Sequence, residues 1–304
     1  MNKAMGNLHT NYVDKATVKL LSKRSDLWGA WLIFHVWAVI ALSITVGILY
    51  PLMIPLCILV IGSRQHGIAI LMHDAAHSAL FKNRRLNDLA GKYLLAASYG
   101  GDLLSYRRYH LQHHKFTQSA DDPDLPLSAK FPVTKKSLTR KFIRDMTGQT
   151  FFRLASAKRG SNAKMIEGAD AFAKQSLWPV IIFNTALFFV LAAIGHWWAY
   201  FVLWLLPLTT WFFAVLRLRN IAEHAMTSTD DNPLTHARTT QVNFLERIFF
   251  SPYWVNYHVE HHVYMYVPCY RLSVLHKLMK EAGHITAMET KNGYANVLRN
   301  ATTA

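Results

Sequence analysis

Apolar positions in this chain are gathered into two long uncharged blocks rather than spread with a strand or helix period. No Asp, Glu, Lys or Arg occurs over the 37 residues from Leu27 to Ser63, or over the 42 residues from Gln175 to Leu216. As single helices these blocks would be roughly 55 and 63 Å long, against about 30 Å of bilayer hydrocarbon. Each is too long for one crossing and suits two. Tyr50-Pro51 and Pro55 interrupt the first block, and Gly195-His196 interrupts the second. The pattern predicts spans at about 28–49, 51–70, 177–194 and 197–216. The expected fold class is all-α integral membrane, with four transmembrane helices as two hairpins and a cytoplasmic helical cap. Buried helix pairs of a soluble protein fit poorly, because soluble helices that are apolar all round are seldom this long.

Charge orients the hairpins. Five Lys/Arg precede residue 27, eighteen lie in 72–174 and nine follow residue 216, while the turns near 50 and 195 have none. The positive-inside rule then puts all three basic segments in the cytoplasm. The expected location is an inner bacterial membrane, with multiple passes. The chain divides into an N-terminal cytoplasmic segment (1–27), a membrane domain (28–280) and a C-terminal tail (281–304). The first 27 residues lack an apolar core with a small-residue cleavage site, so no signal peptide is expected. The net charge of +15 is explained by the positive-inside bias and anionic headgroups, and no nucleic-acid partner is expected. Segment 130–164 holds ten Lys/Arg against Asp145 alone, interleaved with Phe131, Leu138, Phe142, Ile143, Phe151 and Phe152. It reads as a basic amphipathic stretch in the membrane interface, with docking of an acidic electron donor as the alternative.

Histidine carries the chemistry. Nine of the sixteen fall into four groups: HDAAH (His73, His77), HLQHH (His110, His113, His114), AEHA (His224) and HVEHH (His258, His261, His262). Sixteen histidines in 304 residues would produce about 0.04 H-x-x-H-H strings by chance, and the chain has two. Residues three and four apart share a helix face, so each box can aim several imidazoles together. Imidazole binds iron, copper, zinc and nickel. One ion seldom takes more than six protein ligands, so nine point to two ions. Every group lies in or beside a basic segment, on one expected side of the membrane. Arg64, Gln65 and His66 are read as the level where the second span meets headgroups. Residues 89–104 are apolar but too short to span, and read either as a re-entrant or interfacial helix or as a buried helix of the cap.

Together, HDAAH, HLQHH and HVEHH resemble the three histidine boxes of the membrane fatty-acid desaturase superfamily, which also contains carotenoid ketolases and hydroxylases. The resemblance covers roughly residues 28–280. It extends to NRRLND (83–88), the acidic run Asp121-Asp122-Pro123-Asp124, RNIAEH (219–224) and NYHVEHH (256–262). It implies two iron ions (Fe2+/Fe3+) held by the nine histidines, with O2 as co-substrate and a membrane lipid or acyl chain as substrate. It also implies that Asn220 reaches one ion through a water. No HPGG-type cytochrome b5 segment is present, so an external donor of ferredoxin or cytochrome b5 type is implied. Neutral imidazoles leave the charge of a metal pair uncompensated, which makes nearby carboxylates useful as outer partners of the rings. Asp74, Asp124, Glu223 and Glu260 are the candidates. After the last box, VYMYVPCYRL lacks the Phe-Pro pair of many relatives at 264–265, which bears on the pocket and not on the metals.

The expected activity is a lipid desaturase that places a double bond in a long acyl chain. A carotenoid ketolase or hydroxylase, or another lipid hydroxylase, is the alternative, because the boxes do not separate these reactions. A metal transporter would need polar residues along the spans at mid-depth, and the uncharged blocks argue against that. A structural zinc site would bind metal without O2 chemistry. His35 and His196 fall at different depths and do not suggest haem. His9, His66, His236, His276 and His284 are read as solvated or interfacial. Cys57 in a span and Cys269 in the cap are too separate for a disulfide.

Overall fold

The computed structural model of the chain describes residues 12–157, 176–230 and 232–303. Helix α1 (Lys15–Leu21) starts where Asp14 accepts from Thr17 N–H at 2.9 Å. Ser25 caps α2 (Asp26–Leu49) by accepting from Trp28 N–H at 3.3 Å. The Asp26 carboxylate also accepts from Lys82 and Asn83 N–H, at 2.8 and 3.3 Å. This ties the start of α2 to the turn beyond the next helix. Pro51 cannot continue α2 and opens α3 (Pro51–Ala76).

Helix α3 is the axis of the molecule, and nearly every residue from Ile61 to Ala76 is buried. Glycine lets its neighbours come close. A Cβ on Gly62 would stand 2.8 Å from Trp211, and one on Gly67 would stand 2.7 Å from Tyr253. Twenty-six residues make a helix about 39 Å long, against about 30 Å of hydrocarbon. A helix of this length that crosses the hydrocarbon from Pro51 has its last turns beyond the apolar layer, and His73 and the cap residue His77 are on those turns.

Residues 84–99 form α4, whose middle, Ala90–Ala96, is wound as a π-helix. Gly100 stops it in the left-handed region (φ 87°), and Asp102 caps α5 (Leu103–Phe116) by accepting from Ser105 N–H at 2.8 Å. The expected single element over 89–104 is therefore two helices broken by Gly100-Gly101. Helices α6 (Lys135–Met146) and α7 (Gln149–Ala157) follow. α6 is amphipathic as expected: Leu138 and Asp145 are buried, while Lys136, Arg140 and Ile143 are exposed. Residues 158–164 of the basic stretch, and His9, lie outside the described residues.

Helix α8 (Trp178–Ala193) has 16 residues, about 24 Å, and falls short of the hydrocarbon thickness. Helix α9 (Trp197–His224) contains a π-helical stretch, Tyr200–Leu205, and a break at Thr210 (φ −123°, ψ −85°) three residues after Pro207. Among the described residues, α2, α3 and α9 are long and apolar enough to cross a membrane. α9 runs well past the expected end at 216 and carries His224 on its last turn.

The remaining chain forms a cap. Strand β1 (Val133–Thr134) pairs in parallel with β4 (Thr302–Thr303), and β2 (Thr239–Gln241) with β3 (Thr290–Asn292). Helix α10 (Phe244–Phe249) opens with a capping box between Asn243 and Glu246. Helices α11 (His258–Val263), α12 (Leu272–Glu281) and α13 (Gly293–Asn300) follow. Tyr294 and Val297 of α13 are buried against Leu218 and Ile221 of α9.

The structure corrects the reading of Arg64, Gln65 and His66 as a headgroup boundary. All three are buried. Arg64 donates to the Ile248 carbonyl and lies 5.9 Å from the Tyr253 ring centre. Gln65 donates to the Trp204 carbonyl at 2.8 Å. Neither ring nitrogen of His66 has a partner among the described residues. The chain around 248–253 and the broken helix α9 close over this level of α3, which a reading of α3 alone could not reveal.

Candidate metal centre

The four histidine groups meet between the ends of α3, α5, α9 and α11. One nitrogen from each of His73, His77, His110, His114 and His261 lies within 4.8 Å of the others; these five form group A. The Nε2 atoms of His110 and His261 are each 3.0 Å from His114 Nε2. His113, His224 and His262 meet the same limit. His258 joins them through Nε2–Nε2 distances of 2.9 Å to His224 and 3.1 Å to His262; these four form group B. The groups adjoin, with the His114 ring stacked on His262 at 4.3 Å.

Helical spacing explains this sorting. In each box the i,i+4 pair shares one face, and the remaining histidine, about 100° away, serves the other group. His73/His77 and His110/His114 are the i,i+4 pairs of group A, and His258/His262 is the pair of group B. The odd members cross over: His113 goes to group B and His261 to group A.

Protonation suits cation binding. Burial, then the neighbouring imidazoles, pushes His110, His114, His258, His261 and His262 well below the ordinary histidine range. Burial, followed by the charge of Arg107, takes His77 down to about 3. These rings are neutral near pH 7 and present lone pairs. His113 differs. Burial opposes its charge, but the hydrogen bond to Asp122 and the charges of Asp124, Asp122 and Glu223 raise its pKa overall.

The candidate outer residues are placed unevenly. Asp124 lies 3.6 Å from His113 Nδ1 and accepts from the Tyr109 hydroxyl. The closer partner is Asp122, which accepts from His113 Nδ1 at 2.8 Å and is also bonded by Gln118 and Asp124 N–H. The sequence reading named Asp122 only as part of the acidic run. Glu223 lies 3.6 Å from His258 Nδ1 and accepts from Arg219 Nε at 2.6 Å. Asp74 Oδ1 is 3.7 Å from His73 Nδ1, and its other oxygen accepts from Cys269 N–H at 2.8 Å. Glu260 turns away from both groups and accepts from His276 and from Thr239 Oγ1. Asn220 is half-buried one turn before His224, and no side-chain hydrogen bond of it appears among the described residues. His276 and His236, read as solvated or interfacial, are half-buried and buried. The His236 carbonyl accepts from His224 Nδ1 at 3.2 Å. Backbone acceptors of this kind leave no signature in side-chain composition. Cys57 and Cys269 are buried and free, as expected.

A narrow cleft of about 10 Å³ adjoins group A and His258. Its lining brings His73, His258 and His261 together with Ile70, Tyr253, Val255 and Leu272. Tyr253 is held firmly. Its backbone is left-handed (φ 54°, ψ 40°), as is that of Trp254 (φ 60°), and its hydroxyl lies 3.0 Å from His35 Nδ1 on α2. Such backbone strain persists only where the surroundings fix it.

Comparison with known proteins places this arrangement. Dihydrorhizobitoxine desaturase of Bradyrhizobium elkanii is 26% identical over 237 residues, which cover 74% of this chain and 66% of that protein. The sn-1 oleoyl-lipid 12-desaturase of Synechocystis is 25% identical over 245 residues, covering 72% of this chain and 66% of that protein. Beta-carotene ketolase of a Paracoccus species is 24% identical over 244 residues, covering 80% of this chain and 86% of that protein. The chain thus spans about two thirds of the length of the two desaturases. The family model described as fatty acid desaturase matches residues 49–287, a range that takes in all four histidine groups, and the chain belongs to that family.

Proposed function

We propose that this chain is a membrane lipid desaturase that uses two iron ions and O2 to place a double bond in a long acyl chain. The observation that carries the reading is the convergence of nine imidazoles into two adjoining groups beside the ends of the apolar helices α3 and α9. The donor set fits the ions: burial keeps the rings of His77, His110, His114, His258, His261 and His262 neutral, and neutral imidazole is a good ligand for iron. His73, His77, His110, His114 and His261 would hold one ion. His113, His224, His258 and His262 would hold the other, with Asn220 acting through a water. When bound with O2 and two electrons, the ions supply an oxidant for an unactivated C–H bond, which no side-chain base can deprotonate.

The protein's own residues position and shield the substrate. Ile70, Val255 and Leu272 offer an apolar wall for a hydrocarbon chain beside His73, His258 and His261, and Tyr253 closes one side. Asp122, Glu223 and the His236 carbonyl orient their histidines through Nδ1, which turns Nε2 inward. The electron donor in this reading is an external ferredoxin- or cytochrome b5-type protein. The spans form two hairpins, α2–α3 and α8–α9, with α8 lying as the shorter partner and the histidines on the cytoplasmic side of a bacterial inner membrane.

A second reading, a carotenoid ketolase or hydroxylase, is favoured by one observation. The match to the beta-carotene ketolase covers 86% of that protein, against 66% for the two desaturases. Expression in a host that makes β-carotene, with fatty-acid and pigment profiles both measured, decides between them. New unsaturated chains with unchanged pigment support the lipid desaturase. Oxygenated pigment with unchanged acyl chains overturns it in favour of the second reading.

A further inference from the structure

We infer that the two ions are held unequally, with group B the tight site and group A the exchangeable one. The inference rests on the two-ion reading above and concerns the atoms behind the ligands. Each histidine of group B has an oxygen facing its outer nitrogen. His113 Nδ1 meets Asp122 at 2.8 Å, and His224 Nδ1 meets the His236 carbonyl at 3.2 Å. His262 Nδ1 is 3.4 Å from Thr117 Oγ1, and His258 Nδ1 is 3.6 Å from Glu223. The hydrogen-bonded rings of His113, His224 and His262 are thereby set in the tautomer and orientation that leave Nε2 free, and Glu223 stands beside the fourth.

Group A lacks this bracing. Among the described residues, five of the buried side-chain nitrogens without a hydrogen-bond partner belong to His73, His77 and His114, and none belongs to group B. A cation would engage one nitrogen of each ring. The outer nitrogens of His77 and His114 then face no oxygen, and His73 has only Asp74, at 3.7 Å.

Charge points the same way. Asp122, Asp124 and Glu223 all border group B. Asp122 is itself fixed by two backbone N–H groups, and Glu223 by Arg219. These carboxylates offset a divalent charge among neutral rings. Group A has five imidazoles to group B's four, so ligand number alone would favour group A. Outer partners of this kind each alter metal affinity about 10–100-fold, and three of the four rings of group B have a hydrogen-bonded one.

The test uses the full chain in detergent, stripped of metal and titrated anaerobically with cobalt(II) alone. Binding is followed by equilibrium dialysis and visible absorption. Two cobalt ions should bind in two steps at least about tenfold apart in affinity. Asp122→Asn should weaken the tight step about 10–100-fold and leave the weak step unchanged. That substitution also disturbs acceptors of two backbone N–H groups, so His77→Ala provides an independent arm: it should abolish the weak step and leave one tightly bound ion. Two ions bound with a single affinity overturn the inference, as does loss of the tight step in His77→Ala or weakening of only the weak step in Asp122→Asn. A chain that binds fewer than two cobalt ions overturns the two-ion reading itself, and the inference with it.

Discussion

Arg219 and Glu223 form an i,i+4 ion pair on the last turns of α9, with both residues buried at 8% and 6% exposure and Nε–Oε1 at 2.6 Å. Replacing Glu223 by Leu removes the acceptor and strands a guanidinium beside the histidines. Stranding one member of a buried pair costs about 3–5 kcal/mol. Replacing both residues by Leu removes both charges and their desolvation, and such exchanges are often neutral or stabilising. At about 2 °C per kcal/mol for a chain of this size, Glu223→Leu should lower the unfolding midpoint by about 6–10 °C. The double variant should melt within about 2 °C of the wild type, by the same conversion. The assay is thermal unfolding of detergent-solubilised protein at one fixed heating rate, because unfolding of such proteins is often irreversible. If the single and double variants melt together, the stranded charge is not the source of the loss and the reasoning fails.

His113→Ala should abolish product while the protein remains in the membrane, measured by lipid analysis and membrane fractionation; full turnover would contradict its place in group B. His77 titrates near 3 in the folded chain and near 6.5 when unfolded, so the unfolded chain binds more protons between those values. Its contribution to the metal-free protein is therefore complete above about pH 6.5 and falls as the pH drops toward 3; unfolding midpoints measured from pH 7 to 4 should decline, and a flat profile would refute this. Tyr253→Gly relieves a left-handed backbone position and opens the cavity, so product from acyl chains two methylenes longer should rise at least about tenfold relative to the wild-type preference, read by mass spectrometry. Tyr253→Phe keeps the ring and should leave that profile unchanged. Gly29→Ala would place a Cβ 2.4 Å from the Leu80 carbonyl oxygen and should cost about 1–3 kcal/mol, read as a lower unfolding midpoint.

The histidines were legible because box spacing maps directly onto helix faces, and the uncharged blocks were legible because length alone limits what they can be. What escaped the sequence depends on how elements pack. The choice of Asp122 over Asp124 is made by the turn after α5, which presents Asp122 to His113. Which ring Glu223 serves is set by α11, which brings His258 of a different box within 3.6 Å of it. Glu260 sits inside the third box, yet a six-residue helix turns it toward Thr239 and His276. Arg64, Gln65 and His66 read as a water boundary because polarity suggested exposure, whereas α9 and the 248–253 segment cover them. Helix α8 was expected as a full span and ends short of one.

The length of α3 has a consequence for catalysis. Counting from Pro51, Gly67 stands about 24 Å up the helix and His73 about 33 Å, on either side of the roughly 30 Å edge of the hydrocarbon. For a crossing that begins at Pro51, Tyr253, packed on Gly67, would lie below that edge and the imidazoles above it. If the chain is the proposed lipid desaturase, a methylene group resting among lipid tails would have to be lifted out of its solvent before it could react. Exposing each one to water would cost about 0.8 kcal/mol, so the walls of Ile70, Val255 and Leu272 act as a substitute solvent along the climb. In the proposed desaturase, turnover would then depend on how readily the chain is drawn upward as well as on cleavage of its C–H bond.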